Sequence, residues 1–364
     1  MAISRDARGG SRKDEHVALA EELRGEHAPA GVWDDIRFLH RSFPGLAVDD
    51  VDLSTTVCGR PWTAPFFINA MTGGSEKTAL INADLARAAA ATGVAMATGS
   101  ASPALKDPAL AHSFAVVREQ APEAFLFANV SPEMTVAQAR DAVGFLSADA
   151  LQIHVNPAQE LVMPEGDRDF RGWPDRIGEI VDGVDVPVVV KEVGFGLSRA
   201  SIAAVAEQGV HVIDVSGRGG TNFIDIENRR RDRQEFAYLS GWGQTAAECL
   251  LDPLHRDSAS DPAPQVQVLA SGGVQSPLDV VRALALGASA VGVSGHFLHV
   301  LMSSGLDALI AEIEAWLSQV RTLLALLGAS SVAELREVEV LVTGPTAEFA
   351  RLRGVDLQAL ARRS

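Results

Sequence analysis

The chain has 364 residues, 47% of them hydrophobic, which is enough to bury a large core as one big domain or two smaller ones. Lys and Arg number 31 against 47 Asp and Glu, a formal charge of −16, so nucleic acid and anionic membrane surfaces are expected to be repelled, while a local cationic pocket for an anionic ligand stays open. Two cysteines, Cys58 and Cys249, make no disulfide framework. With no apolar leader in MAISRDARGGSRKDEH and no spanning run of about 18 apolar residues, the expectation is a soluble, cytoplasmic protein with free thiols.

Residues 1–30 are charged and contain Gly, and read as a mobile arm unless something docks them. IRFLHRSF (36–43) and VDLSTTV (51–57) read as short strands, in one arrangement a hairpin closing the floor of a barrel. From Pro65 on, eight apolar runs alternate with Ala-rich helical patterns: FFINA (66–70), VAMATG (94–99), FLFANV (125–130), LQIHV (151–155), VPVVVKEV (186–193), VHVIDVSG (210–217), VQVLASGG (266–273) and SAVGVSG (289–295). Continuous rather than alternating hydrophobicity suits strands covered on both faces, as in a parallel sheet. The helical segments 77–93, 198–209 and 276–287 end in Gly, and two of them open on Ser, as capped helices do. DPLHRDSASDPAPQ (252–265) reads as a flexible insertion, and LDALIAEIEAWLSQVRTLLALLG (306–328) as an amphipathic helix. The expected fold is α/β, a (β/α)8 TIM barrel over 65–300, with an N-terminal segment over 1–64 and C-terminal helices over 301–364. An open doubly wound sheet is the alternative, disfavoured because no dinucleotide fingerprint is present.

In such a barrel, chemistry sits at the carboxyl ends of the strands. Those ends carry Asn69 to Gly74, Thr98-Gly99-Ser100, Asn129, His154 and Asn156, Lys191-Glu192, Ser216 to Thr221, Ser271-Gly272-Gly273 and Ser294-Gly295. Nearly every strand therefore finishes in a hydrogen-bonding side chain or a glycine. The loops at Gly272-Gly273 and Ser294-Gly295 let backbone N–H groups approach a phosphate, with a helix N-terminus adding its dipole; otherwise the glycines only make tight turns. Lys191 follows an apolar run, so it starts inside the barrel mouth and needs an anion, either a ligand or a neighbouring carboxylate. A flavin with a phosphate tail satisfies both signals. Ala70, Met71, Thr72, Ser100 and Asn129 would then meet its ring, and Ser216 and Thr221 its tail. After the fourth strand, His154, Asn156, Gln159 and Glu160 supply neutral donors and one carboxylate, a set that suits Mg²⁺ completed by water and a diphosphate. The acidic and basic residues of MPEGDRDF (163–170) are expected to order that loop rather than to do chemistry.

The segments RKDEH (12–16), INAMTGGSEKT, QIHVNPAQE with MPEGDRDF, VVVKEVGFGLS, DVSGRGGTNFIDIENRR, GWGQT and ASGGVQSPLDVVRALALGASAVG together resemble the type 2, FMN-dependent isopentenyl-diphosphate isomerases over nearly the whole chain. The resemblance implies that Ala70, Met71, Thr72, Ser100, Asn129, Lys191, Ser216 and Thr221 hold FMN, with Gly272, Gly273, Ser294 and Gly295 on its phosphate. It implies that Arg12 and Lys13 come down onto the substrate diphosphate with His16 also binding the substrate, that His154 and Asn156 support the diphosphate and Gln159 lies close to the substrate, and that Glu160 holds Mg²⁺. Gln159, His154 and Lys191 are the implied catalytic residues.

The implied reaction is a reversible 1,3 proton shift between isopentenyl and dimethylallyl diphosphate through a tertiary cation-like species. Reduced FMN is required, NADPH or NADH acts as its reductant, and the family forms homo-oligomers, tetramers or octamers. Two departures stand out: Gln275 where many relatives carry Arg, and ASPAL (101–105) where a more polar segment is expected. The rivals are an FMN-dependent 2-hydroxy-acid oxidase or dehydrogenase on a similar barrel, and a flavin-binding barrel without catalysis.

Overall fold

The apolar runs form eight parallel strands: β1 (Phe66–Ile68), β2 (Met96–Ala97), β3 (Leu126–Val130), β4 (Ala150–His154), β5 (Val188–Lys191), β6 (Val212–Asp214), β7 (Gln267–Ser271) and β8 (Ala290–Val293). Each pairs with the next, and β8 pairs with β1, so the sheet closes on itself. This is the (β/α)8 barrel; the open sheet is ruled out by the β8–β1 pairing of Val291 with Phe66. The structure, a computed structural model, describes residues 12–26, 31–252 and 266–363, so most of the insertion expected at 252–265 lies outside the described residues.

Strand alternation divides the barrel interior into two layers. Phe67, Ala97, Phe127, Ala150, Val189, Val212, Leu269 and Ala290 form a lower apolar layer. Two residues further along the same strands come Asn69, Asn129, Gln152, Lys191, Asp214 and Ser271, all buried. Outward-facing residues such as Leu151, Ile153, Val190 and Ile213 join the main core beneath the helices. The abrupt change from apolar to polar in LQIHV is thus the passage of one strand from the packed layer into the mouth.

The helices start and stop where local chemistry dictates. Ser75 accepts the Thr78 N–H to open Glu76–Thr92, and Gly93, at φ 73°, closes it in the left-handed region. Ser198 and Ser276 cap Arg199–Ala206 and Pro277–Ala285 in the same way.

The floor is closed by a hairpin, but not the expected one. Thr55–Val57 pairs with Arg60–Trp62, and the Trp62 ring packs on Phe67, Phe125 and Phe127 at centroid distances of 5.6, 5.2 and 5.9 Å. Ile36–Phe38 instead pairs antiparallel with Val340–Val342, a strand within the segment expected to be helical throughout. A β-branched run next to Gly344 favours the extended state there. The helix Leu306–Leu327 buries Leu309, Ile313, Trp316, Val320, Leu324 and Leu327 at spacings of three and four, which lays one stripe on the barrel. No helix among the described residues is long and apolar enough to cross a membrane.

Candidate active site

A cavity of about 740 Å³ opens at the carboxyl ends of the strands, within the range of roughly 300–1,000 Å³ usual for small-molecule sites. Its floor is the polar layer, wired into one chain of hydrogen bonds. His154 Nδ1 lies 2.8 Å from Asn129 Oδ1, Asn129 Nδ2 donates to Gln152 Oε1 (3.1 Å), and Gln152 Nε2 donates to Asn69 Oδ1 (3.2 Å). Asn69 Nδ2 then donates to Asp214 Oδ2 (2.8 Å), which also accepts from Ser271 Oγ (2.9 Å). Since Asn129 offers its oxygen, the His154 proton sits on Nδ1. Asp214 is fully buried, and its remaining oxygen accepts the Ser216 N–H at 3.1 Å.

Lys191 lies beside this chain. Its strand register places it between His154 and Asp214, and Nζ donates to the Glu192 carbonyl at 2.7 Å. Burial pushes the ammonium below the usual lysine range, against the pull of the Asp214 and Glu192 carboxylates. Of the two options left open for Lys191, neighbouring carboxylates are present, and the side chain also lines the cavity.

The β6 and β7 loops stack backbone on backbone at one end of the cavity. Gly217 N donates to Ser271 O at 2.8 Å, and Trp33 Nε1 closes over the Gly272 carbonyl at 3.2 Å. Gly272 and Gly273 have φ of 106° and 69°, and a β-carbon on Gly272 would overlap the Gly217 carbonyl, so only glycine fits. The helix Gly295–Ser304 begins beside them at Ser294.

The opposite side carries the ligand-type residues after β4. Asn156 Nδ2 donates to Gln159 Oε1 (3.1 Å) and Glu160 Oε1 (2.8 Å), while Gln159 Nε2 donates to Glu227 Oε1 (3.0 Å). Glu227, on the helix Phe223–Arg229, also pairs with Arg230 and lies 3.1 Å from His16 Nε2. Burial alone would raise the Glu227 carboxyl, but the hydrogen bonds from His16, Gln159 and Arg230 pull it down to about 2. His16 reaches this point because the helix Arg12–Glu26 lies across the mouth, fastened by Ser75 Oγ donating to Asp14 (2.7 Å) and by the 2.7 Å pair of Glu21 with His299. Arg12 and Lys13 stand in the first turn of that helix, and their side chains lie outside the described residues.

In the MPEGDRDF loop, Arg168 donates to the carbonyls of Met163 (2.9 Å), Gly166 (2.6 Å) and Asp167 (2.8 Å), and Glu165 pairs with Arg230 at 2.8 Å. These contacts order the loop. Glu133, Glu160 and Asp167 meet at the rim, where burial, then the neighbouring carboxylates, push the Glu133 carboxyl up to about 7.

Ala70, Met71, Thr72, Ser100, Asn129, Lys191, Ser216, Thr221, Gly272, Gly273, Ser294 and Gly295 all line this one cavity, as do His16, His154, Asn156, Gln159 and Glu160. In the ASPAL segment, Ser100 keeps its place on the wall and bonds Ser102 at 2.9 Å. Sequence reasoning missed Asp214, Gln152, Glu227 and Arg230. Asp214 had a signal, a carboxylate inside the apolar run VHVID. Glu227 and Arg230 had only a place in a quoted segment.

The residues fit FMN on grounds internal to the structure. Thr72 Oγ1 and Arg218 Nε are buried in the lining without a partner among the described residues, and Gly272 and Gly273 line the same cavity. Among the described residues, no three His, Cys, Asp or Glu side chains group as a metal cage, so a cation here would rest on Glu160, water and ligand oxygens.

Comparison with known proteins decides the family. A sequence model of the FMN-dependent dehydrogenases matches residues 109–341. An isopentenyl-diphosphate delta-isomerase from Nocardia farcinica (strain IFM 10152) is 50% identical over 97% of this chain and 96% of its own length. Those of Streptomyces sp. (strain CL190) and Listeria welshimeri are 50% and 46% identical, each over 97% of this chain and covered over 95% and 97% of their own lengths. The chain belongs to the type 2 isopentenyl-diphosphate delta-isomerases. Among solved structures, mandelate oxidase with (S)-2-phenylpropionate (19% identity, TM-score 0.62, 90% of each chain) and a flavocytochrome b2 mutant with benzoylformate (20%, 0.63, 90% of this chain and 78% of that one) share the barrel, and at that identity they speak for the fold alone.

Proposed function

We propose that this isomerase interconverts isopentenyl and dimethylallyl diphosphate by a 1,3 proton shift, with FMN and substrate side by side in the cavity. The observation that carries the reading is identity of up to 50% with isopentenyl-diphosphate delta-isomerases over 97% of the chain. FMN would be held by Ala70, Met71, Thr72, Ser100, Asn129, Lys191, Ser216 and Thr221, with Gly272, Gly273, Ser294 and Gly295 at its phosphate; all of them line the cavity. When bound and reduced, FMN supplies an electron-rich face with an exchangeable proton, against which positive charge develops in the alkene. NADPH or NADH is the proposed reductant, without net consumption.

The chain's own residues orient and shield. Gln159 is clamped at both ends of its carboxamide, by Asn156 at Oε1 and by Glu227 at Nε2, so it presents one fixed face to the isoprenoid. His154 has its Nδ1 proton committed to Asn129, and protonation at Nε2 makes the ring a cationic donor for the diphosphate. Arg12, Lys13 and His16 come from the helix over the mouth, which also excludes water from a carbocation-like species.

The rim of Glu133, Glu160 and Asp167 would repel a diphosphate by itself. A divalent cation held by Glu160 alone, with water and diphosphate oxygens completing its shell, would offset that repulsion, and this supports Mg²⁺ on Glu160. Glu160→Gln is expected to raise the Mg²⁺ concentration for half-maximal activity at least about tenfold, roughly the loss of one charge-assisted contact, with flavin content unchanged. Full activity of the variant at limiting Mg²⁺ would remove Glu160 from this role. Assembly as a homo-oligomer, tetramer or octamer, in the cytoplasm belongs to the same proposal.

The test is anaerobic protein with FMN, Mg²⁺, NADPH and isopentenyl diphosphate. Dimethylallyl diphosphate is expected to accumulate over many turnovers per NADPH oxidised. Oxidation of a 2-hydroxy acid with no allylic product would instead make the chain a dehydrogenase.

A further inference from the structure

Arg218 is a cavity-lining cation to which no role has yet been given. It sits in the glycine-rich turn after β6, fixed by its own N–H to Gln244 O at 2.7 Å and by a bridge to Thr245. That turn lies directly on the β7 loop. Gly217 N bonds Ser271 O, and a β-carbon on Gly273 would come within 3.2 Å of the Gly219 backbone. Arg218 is thus flanked on both sides by glycines that touch the Gly272-Gly273 cradle.

Its side chain is half-buried, and its Nε is buried with no acceptor among the described residues. The other arginines nearby have carboxylate partners: Arg230 pairs with Glu227 and Glu165, and Arg231 with Glu235. Arg282 shares with Arg218 a buried Nε that has no partner among the described residues, but its Nη1 pairs with Asp34 and Asp279 and it does not line this cavity. A buried guanidinium N–H left unpaired is costly, so an acceptor that belongs to a ligand is expected beside it. The remaining cavity-lining lysines are elsewhere around the barrel. Lys191 ends β5 and donates to Glu192 O, and Lys106 ends the short helix after β2. Gln275, which follows the cradle and lines the same cavity, is neutral.

We propose that Arg218 is the counter-charge of the flavin phosphate, its guanidinium donating to phosphate oxygens seated on Gly272, Gly273 and the helix that starts after Ser294. The inference rests on the FMN reading of the cavity and adds a binding residue which that reading did not contain. The charge is delivered from the neighbouring β6 loop because the β7 loop itself offers only backbone N–H groups and the neutral Gln275.

Riboflavin carries the same ring and ribityl chain without the phosphate, so it separates this role from a structural one. Flavin fluorescence quenching on the apoprotein gives both dissociation constants without reference to turnover. For Arg218→Met, FMN affinity is expected to fall about 10- to 100-fold while riboflavin affinity changes less than about twofold. Arg218→Lys is expected to recover part of the FMN affinity, because a point charge cannot fork across two phosphate oxygens. Equal losses for both flavins would make Arg218 a loop-packing residue and overturn the proposal, as would an unchanged FMN affinity. Should the Met variant not fold, Arg218→Lys decides: its FMN-to-riboflavin affinity ratio drops below that of the wild type, and an unchanged ratio overturns the proposal. A wild-type protein that binds FMN no better than riboflavin would remove the phosphate cradle, and one that binds neither would remove the FMN reading itself.

Discussion

Lys191→Met is expected to lower kcat by about 10²- to 10³-fold, a loss of roughly 3–4 kcal/mol of transition-state stabilisation. The cation is buried beside two carboxylates, Asp214 and Glu192, and has been placed by the strand register rather than by a mobile loop. Methionine keeps the stem volume but removes the charge. The flavin pocket then loses a buried ammonium, and Asp214 loses a buried positive neighbour. Two readouts check this: single-turnover anaerobic kinetics for the chemical step, and the reduction potential of bound flavin, which is expected to fall because negative charge on the reduced ring is no longer offset. A variant with normal turnover and an unchanged potential would mean that Lys191 only balances its carboxylate neighbours.

Glu227→Gln is the second large effect. It leaves the shape of the side chain but removes the buried charge to which Arg230 and His16 turn. Removing one partner of a buried pair costs about 3–5 kcal/mol, and the lower end is expected here because Arg230 keeps Glu165. Urea unfolding at neutral pH measures it, as a shift in midpoint with unchanged slope. Activity is also expected to fall by at least about tenfold, because the clamp on the Gln159 carboxamide loosens and His16 loses its anion.

The pH dependence gives an independent check. In the folded protein the Glu227 carboxyl is held down at about 2, below its ordinary value of 4.5, so its contribution is fully present above about pH 4.5. It is lost as pH falls from there toward 2, and amounts to roughly 3 kcal/mol. The difference in stability between wild type and Glu227→Gln should therefore shrink as pH is lowered from 5 to 3. A difference that stays constant over that range would show that the variant acts through packing rather than charge.

The barrel was legible because its strands are buried on both faces and each run is short, apolar and closed by a polar or glycine end. The convergence of the named residues on one cavity was also legible, since strand ends meet there whichever strand supplies them. What escaped depends on distance and on height within the barrel. Ile36–Phe38 finds its partner at Val340–Val342, a pairing across some 300 residues that no local pattern announces. Gln152 and Asp214 lie within apolar strands and read as core, yet alternation turns them inward at the level where the packed layer ends. Glu227 gains its meaning only from Gln159 and His16, which come from two other parts of the chain.

Solvent deuterium is the most direct test of the central claim that this cavity carries out a proton shift and not an oxidation. In D₂O, with reduced FMN, Mg²⁺ and isopentenyl diphosphate under anaerobic conditions, the product should be dimethylallyl diphosphate with deuterium in the methyl group that was the terminal methylene, as read by ²H NMR. Dimethylallyl diphosphate that stays free of deuterium over many turnovers, or no allylic product at all, would contradict the account.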